Sequence, residues 1–190
     1  MKIPILAVLC AIVTASAAPE QPITALAPKW QRVSINDAKC AIDMPGRMNF
    51  HKVERMDQPE GRGIFGVDGV ASADRSKMGI YLVMYGVTTK FSGSTKDLRR
   101  FVQFLSGKVD GLMQKMFADT FTLKEKRPIE MKNMTGTDYF YDPKGKPFTI
   151  QMRKLLLSDR AYFRIGVGAP EDVARIMKSL EPLPLSGQPG

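Results

Sequence analysis

The residues of this chain best suited to covalent chemistry are a cysteine, Cys40, and the only histidine, His51. An imidazole that removes the proton of a thiol produces a nucleophile, so this pair would serve a secreted hydrolase. Cys40, however, alternates with Ile42 and Met44 on a face that the pattern predicts to be buried, where a cysteine is usually a small apolar residue. We therefore expect no catalytic residue, and hydrolysis by Cys40 with His51 remains the alternative function.

The other chemical motifs are incomplete. Residues 61–66 match the G-x-G-x-x-G spacing of dinucleotide-binding sites. That fingerprint requires a strand before the glycines and a helix after them, whereas strand-like residues follow here, so we interpret the segment as a hairpin loop. One histidine, and one cysteine beyond the apolar amino-terminal run, are too few for a zinc site with nitrogen and sulfur ligands. We expect neither a metal nor a cofactor.

Three residues near the carboxyl end are candidates for binding an anion. A tight turn at residues 159–160 would pair Leu155 with Arg164 and bring Arg153 close to Arg164 on the same face of a sheet. We take Arg153, Arg164 and Tyr162 as the candidate anion contacts. The alternative is structural: the arginine stems cover a helical layer while the guanidinium groups reach water or a nearby carboxylate.

A helix is predicted at residues 94–117, because apolar residues recur there at steps of three and four. Phe104, Gly107 and Gly111 project away from the apolar side, and glycine at an exposed helical position costs about 1 kcal/mol relative to alanine. An exposed aromatic side chain beside small residues is typical of a contact with another protein. These three residues are the candidate partner contact; coverage by the proline-rich amino-terminal segment is the alternative.

Strands surround this helix in the sequence. Residues 80–87 are apolar at both alternating sets of positions, which predicts an interior strand of a sheet that is covered on both faces. A second helix is predicted at 170–180, after a proline and two acidic residues. Short turns join most neighbours, so the sheet should be largely antiparallel. The other predicted strands lie at residues 39–44, 48–53, 64–71, 137–141, 148–157 and 162–167.

Two short motifs and the order of these elements resemble a known family. The segment AIDMPG at 41–46 lies near the start, and YFRIGV at 162–167 leads into the final helix. Together with the helix after the long strand and the later meander, they resemble the PsbP-like family. The resemblance implies an α+β fold, an α/β/α sandwich with a largely antiparallel central sheet and helices on both faces, over residues 30–180. It implies a non-enzymatic accessory or binding role and transfers no catalytic residue.

The amino terminus is predicted to be a signal peptide, residues 1–17. A lysine precedes an apolar run at 3–13, and small residues suited to signal peptidase follow. Lipidation at Cys10 is disfavoured, because a leucine rather than a glycine or alanine precedes it. We expect an extended segment at 18–29, the folded domain at 30–180 and a flexible tail at 181–190. The protein should be secreted or periplasmic.

The charge balance indicates the kind of partner. The chain has 28 Lys and Arg against 19 Asp and Glu, a formal net charge of +9. A basic protein favours anionic surroundings. We therefore expect an exported accessory or binding protein that contacts an envelope or extracellular protein or an anionic polymer. Nucleic acid is not expected, because export removes that ligand. No apolar run is long enough to cross a membrane.

Overall fold

The structure is a computed structural model that describes residues 29–58, 61–71, 79–91, 100, 102–104, 106–107, 111, 121–131, 134–145 and 147–184. The predicted signal peptide, nearly all of the predicted extended segment and most of the helix predicted at 94–117 lie outside these residues. The described helical positions between 100 and 111 all fall within that predicted helix.

A seven-stranded antiparallel sheet forms the centre of the molecule, with the strand order β3-β4-β5-β9-β8-β7-β6. Residues 80–88, in β5, are buried, and β5 pairs with β4 and β9. The prediction of a covered interior strand is therefore confirmed. The strands are β3 (Phe50–Gln58), β4 (Gly61–Ala71), β5 (Ile80–Phe91), β6 (Thr122–Met131), β7 (Met134–Asp142), β8 (Thr149–Leu156) and β9 (Arg160–Gly168).

A second layer lies against one face of this sheet, and we call it the hairpin layer. It consists of the three-stranded sheet β1-β2-β10 and the C-terminal helix. The flexible tail was expected to start at 181, whereas residues 181–182 pair with β2 as a short strand. The elements of the layer are β1 (Trp30–Ile35), β2 (Cys40–Pro45), the C-terminal helix (Pro170–Ser179) and β10 (Glu181–Pro182).

The C-terminal helix follows the pattern that predicted it. Pro170 occupies its first turn together with two acidic residues, and Lys178 lies in its last turn, as the helix dipole favours. Val173, Ile176 and Met177 are buried against the strands. This apolar stripe packs on β9, β2 and β8, so the helix and β2 share one layer.

The opposite face of the large sheet carries a separate apolar cluster. Leu82, Met84 and Phe163 are among its buried members, and the helical residue Val102 packs with them. We call this the helix side of the sheet. Val102 thus anchors one surface of its helix to the sheet.

The predicted α/β/α sandwich with helices on both faces is wrong. Antiparallel strands dominate the molecule, and β1, β2 and β10 build much of the layer on one face. The prediction missed β1 because its residues alternate only weakly: Trp30 and Val33 are half-buried, and Gln31, Arg32 and Ser34 are exposed. Such a pattern carries little of the apolar period by which a strand is recognised.

The pairing of β8 with β9 also differs from the prediction. Leu155 pairs with Tyr162 rather than with Arg164, because the turn falls at 158–159 instead of 159–160. Moving a two-residue turn by one position shifts the register by two residues, which leaves every side chain on its original face. Arg153 therefore lies directly opposite Arg164.

Candidate functional site

The helical residues nearest the predicted partner contact form one exposed stripe. We call Arg100, Phe104, Gly107 and Gly111 the helix stripe; all four are exposed. With about 100° of rotation per residue, their spacings of four, three and four place them within about 60° of one another. The Phe104 side chain is 43% exposed, whereas Val102, on the other side of the helix, is buried against the sheet.

The two glycines leave a notch beside Phe104. A Cβ atom placed on Gly107 or Gly111 would meet no described atom within 4 Å. Phe104 and Leu123 are the exposed large apolar residues of the described chain. Leu123 pairs with Tyr141, which packs on the cluster of the helix side, so both exposed apolar residues belong to the same side of the sheet.

Cations lie on this side as well. The Lys126 ammonium is 5.6 Å from the centre of the Tyr139 ring, and the Lys154 ammonium is 5.6 Å from that of Phe163. Tyr139 and Phe163 both belong to the apolar cluster of the helix side. The helix side therefore combines exposed apolar groups with positive charge, as protein-binding surfaces often do.

The candidate anion contacts lie in the interior, facing the hairpin layer. Arg164 is 2% exposed, and its guanidinium donates hydrogen bonds to the carbonyl oxygens of Ile176, at 3.2 Å, and Met177. Arg153 donates to both carboxylate oxygens of Asp138, at 2.6 and 2.5 Å, and to the same Met177 carbonyl at 2.7 Å. These donors satisfy carbonyl groups at the end of the C-terminal helix, which has no further turn to bond them.

The electrostatics of this cluster explain its arrangement. Burial, and after it the charge of Arg153, lower the pKa of the Arg164 guanidinium to about 9, so the group remains charged at neutral pH. The Tyr162 hydroxyl is also internal and donates to the Ala38 carbonyl at 2.8 Å. Anion binding by Arg153, Arg164 and Tyr162 stays a prediction, and their contacts match the structural alternative more closely.

The cysteine and histidine have different surroundings. Cys40 is fully buried, and burial, followed by the charge of Asp68, raises the pKa of its thiol to about 12. A thiol in this state is protonated at neutral pH and is a poor nucleophile. His51 lies at the surface, where its Nδ1 atom is 2.6 Å from Oδ1 of Asp68.

Sequence reasoning missed two buried carboxylates, Asp68 beside His51 and Asp138 beside Arg153. Asp68 has a signal in the sequence. Asp68 alternates in phase with Ile64 and Val70, which lie on the apolar face of β4. A charged residue at such a position is uncommon unless it has a partner. The position of Asp68 therefore indicates a buried carboxylate with a partner.

Three further observations bear on the chemistry. Residues 61–66 lie in β4 and pair with β3, rather than forming a loop. Across the described segments, no three or more His, Cys, Asp or Glu side chains gather as a metal site would require. No helix in those segments has the length and apolarity needed to cross a membrane.

Comparisons with known proteins give a structural likeness but no relative in sequence. No protein-family model matches this chain, and no curated protein matches it. The solution structure of cyanobacterial PsbP (CyanoP) from Synechocystis sp. PCC 6803 is similar to 88% of this chain and 98% of its own, with 10% identity and a TM-score of 0.42. A likeness with a TM-score of 0.42 and 10% identity establishes neither a fold family nor a function for this chain.

Proposed function

We propose that this protein is an exported, non-catalytic accessory or binding protein that uses its helix stripe to dock an acidic envelope or extracellular protein. The observation that carries the proposal is the exposed Phe104 side chain, which lies beside the notch at Gly107 and Gly111. Export rests on the signal peptide predicted at residues 1–17.

The residue types of the stripe support docking. Aromatic and arginine side chains provide much of the binding energy at protein interfaces, and Phe104 and Arg100 lie one helical turn apart. The two glycines each cost about 1 kcal/mol of helix stability relative to alanine. Because their Cβ positions meet no described atom, packing within the described chain does not account for them. A partner side chain that enters the notch would account for them.

The charge of the chain supports an acidic partner. The formal net charge is +9, and Lys126 lies on the same side of the sheet as Val102, the helical residue that packs on the sheet. Opposite charges on two surfaces speed their encounter and orient it, and salt weakens this effect. We therefore expect association to slow as ionic strength rises, while the apolar contact at Phe104 sets the rate of dissociation.

Affinity capture tests the proposal, using the mature chain with extracts of its own cell envelope. Phe104→Asp places a charge in the docking surface and should abolish capture of the partner. Ser34→Asp is the control, since Ser34 is exposed on β1, in the hairpin layer on the opposite face of the large sheet. Equal capture by the two variants would contradict docking at the stripe.

A second pair of variants separates binding from folding. Gly107→Ala and Gly111→Ala should each raise helix stability by up to about 1 kcal/mol, because alanine is the better helix former. If the notch receives a partner side chain, the added methyl groups weaken capture even though the protein is more stable. Unchanged capture by the double variant would exclude the notch from the interface and leave Phe104 alone to be tested.

A further inference from the structure

Asp68 is a buried carboxylate whose side-chain partner is the only histidine of the chain, which forms an ion pair with it when the ring is protonated. The Asp68 side chain is 2% exposed, and Oδ1 is 2.6 Å from Nδ1 of His51, which is 65% exposed. The two residues face each other across β3 and β4. A buried carboxylate requires a charged or hydrogen-bonding partner, so the protonation of a surface imidazole affects the packing beneath it.

Tyr85 lies on the inner side of the same carboxylate. Gly66 faces Tyr85 across β4 and β5, and a Cβ atom on Gly66 would lie 2.3 Å from the Tyr85 hydroxyl oxygen. Only glycine therefore lets the phenol extend across β4 towards Asp68, two residues further along the strand. Burial, and after it the charge of Asp68, raise the pKa of Tyr85, so the phenol is protonated.

Other ionisable groups near the pair of His51 and Asp68 come from the hairpin layer and from β9. Asp37, in the turn between β1 and β2, adds negative charge near His51. The Cys40 thiol, on β2, is affected by the charge of Asp68 and by those of three arginines, Arg164, Arg160 and Arg32. Oδ2 of Asp68 and the Tyr85 hydroxyl make no hydrogen bond of normal geometry with the described residues. Among those residues, His51 is therefore the base whose protonation can place a positive charge in direct contact with Asp68.

We propose that His51, Asp68 and Tyr85 form a proton-linked lock, which holds β3 on β4 while His51 is protonated and loosens this edge of the sheet when His51 loses its proton. Strand β3 is an edge strand, and β4 is its partner in the strand order. Loss of the imidazolium charge leaves the Asp68 carboxylate buried beside a neutral ring and a phenol. Local opening of β3, which exposes Asp68 to water, then becomes more favourable.

The direction of the pH dependence follows from the pair. The hydrogen bond to Asp68, and second its charge, raise the pKa of His51 above 6.5. The stabilisation is complete at pH values below the pKa of His51 in the unfolded chain, which is near 6.5. It is lost as the pH rises through the higher pKa of His51 in the folded protein. If folding raises the pKa of His51 by one, the equilibrium constant for opening changes about tenfold across the titration.

NMR titration of the single histidine ring tests the contact directly. In the wild-type chain the ring should titrate above pH 6.5, and Asp68→Asn should return it to about the ordinary value. Asp37→Asn is the matched control, because it removes a nearby charge without touching the ring, and it should shift the titration less. A wild-type ring that titrates at or below 6.5, or an unchanged value in Asp68→Asn, would overturn the proposal.

Amide hydrogen exchange tests the opening of β3. Protection factors in β3 should fall as the pH rises through the His51 titration, whereas those in β8 should stay constant. His51→Gln removes the titrating group at an exposed position and should abolish the pH dependence in β3, so this test stands even if Asp68→Asn fails to fold. Equal pH dependence of β3 protection in wild type and His51→Gln would contradict the lock.

Discussion

At the scale of single residues, Asp138 balances two guanidinium groups, that of the buried Arg164 and that of the half-buried Arg153. Its carboxylate accepts two hydrogen bonds from Arg153, and Arg153 lies directly opposite Arg164 on the neighbouring strand. Asp138 also acts on Arg164, since its charge opposes the fall in the pKa of that group. One carboxylate thus compensates two cations, and removing it leaves both of them without a negative partner.

Substitution of Asp138 should therefore be more damaging than substitution of the most deeply buried arginine. Asp138→Asn leaves the buried Arg164 and the half-buried Arg153 uncompensated and should lower the free energy of unfolding by about 3–5 kcal/mol. Arg164→Met fills a similar volume and removes the repulsion with Arg153. The Ile176 and Met177 carbonyls each lose one donor but keep a second, from Ser179 and Arg153 respectively, so the variant should cost about 1–2 kcal/mol. Urea unfolding of the two variants measures this difference.

The control for this comparison is Glu125→Gln. Glu125 also binds an arginine through both carboxylate oxygens, Arg127, but both side chains are exposed. Exposed ion pairs contribute little, so this variant should unfold like the wild type. If Arg164→Met proved as destabilising as Asp138→Asn, the Arg164 charge would itself be essential, and compensation by Asp138 would not explain the cluster.

At the scale of elements, β6 is an edge strand protected against pairing with other chains. It ends the strand order, and all but one of residues 122–130 are exposed. The strand contains Pro128, two lysines and a register irregularity near Glu125. Proline, lysine and bulges at a sheet edge oppose the addition of another strand.

Removal of this protection should promote self-association. Pro128→Val combined with Lys126→Val restores a backbone donor, removes a charge and raises the β-propensity of an exposed edge. We expect concentration-dependent dimers or larger species in analytical ultracentrifugation, while the wild type stays unchanged over the same range. Lys144→Gly is the control, since it removes one exposed lysine from a turn instead of the edge, and glycine accepts the positive φ of 53° at this position. Equal association of the two variants would mean that lost charge, and not the open edge, is responsible.

The same strand shows what the sequence predicts and what it does not. Strand β5 and the C-terminal helix bury apolar residues at a regular period, so local pattern predicts both. Strand β6 is exposed on both faces and therefore has no apolar alternation, and it was missed. The helix stripe at Phe104 could be predicted because all of its residues lie on one helix. The contact of His51 with Asp68 depends on the register of β3 with β4, which no local pattern contains.

At the scale of the whole molecule, arginine side chains connect the two layers. Arg160, on β9, donates to the carbonyls of Lys39 and Leu183, which lie beside β2 and β10. Arg32 links β1 to the end of the C-terminal helix and to β10 by hydrogen bonds with Ser179 and Glu181. These contacts join the beginning and the end of the described chain to its centre. Separation of the layers thus breaks charge-assisted hydrogen bonds as well as apolar contacts, which favours cooperative unfolding.

Cys40 lies between those layers, and its reactivity should report their separation. The thiol is fully buried, and burial is the main cause of its raised pKa, about 12. In a Cys10→Ser chain, alkylation of Cys40 at neutral pH should be about a thousandfold or more slower than in urea-unfolded protein, because reaction requires opening. The rate should rise with urea in parallel with the loss of the circular dichroism signal.

A surface thiol provides the reference rate for that experiment. Ser34 is exposed on β1, so Ser34→Cys in a chain that also carries Cys10→Ser and Cys40→Ala should react nearly as fast folded as unfolded. A Cys40 thiol that reacted at this rate in the native protein would be an accessible thiolate. That result would contradict the packing of the hairpin layer on the large sheet, and it would restore hydrolysis by Cys40 with His51 as the function to test. Slow alkylation that follows global unfolding instead assigns Cys40 to the interface between the layers.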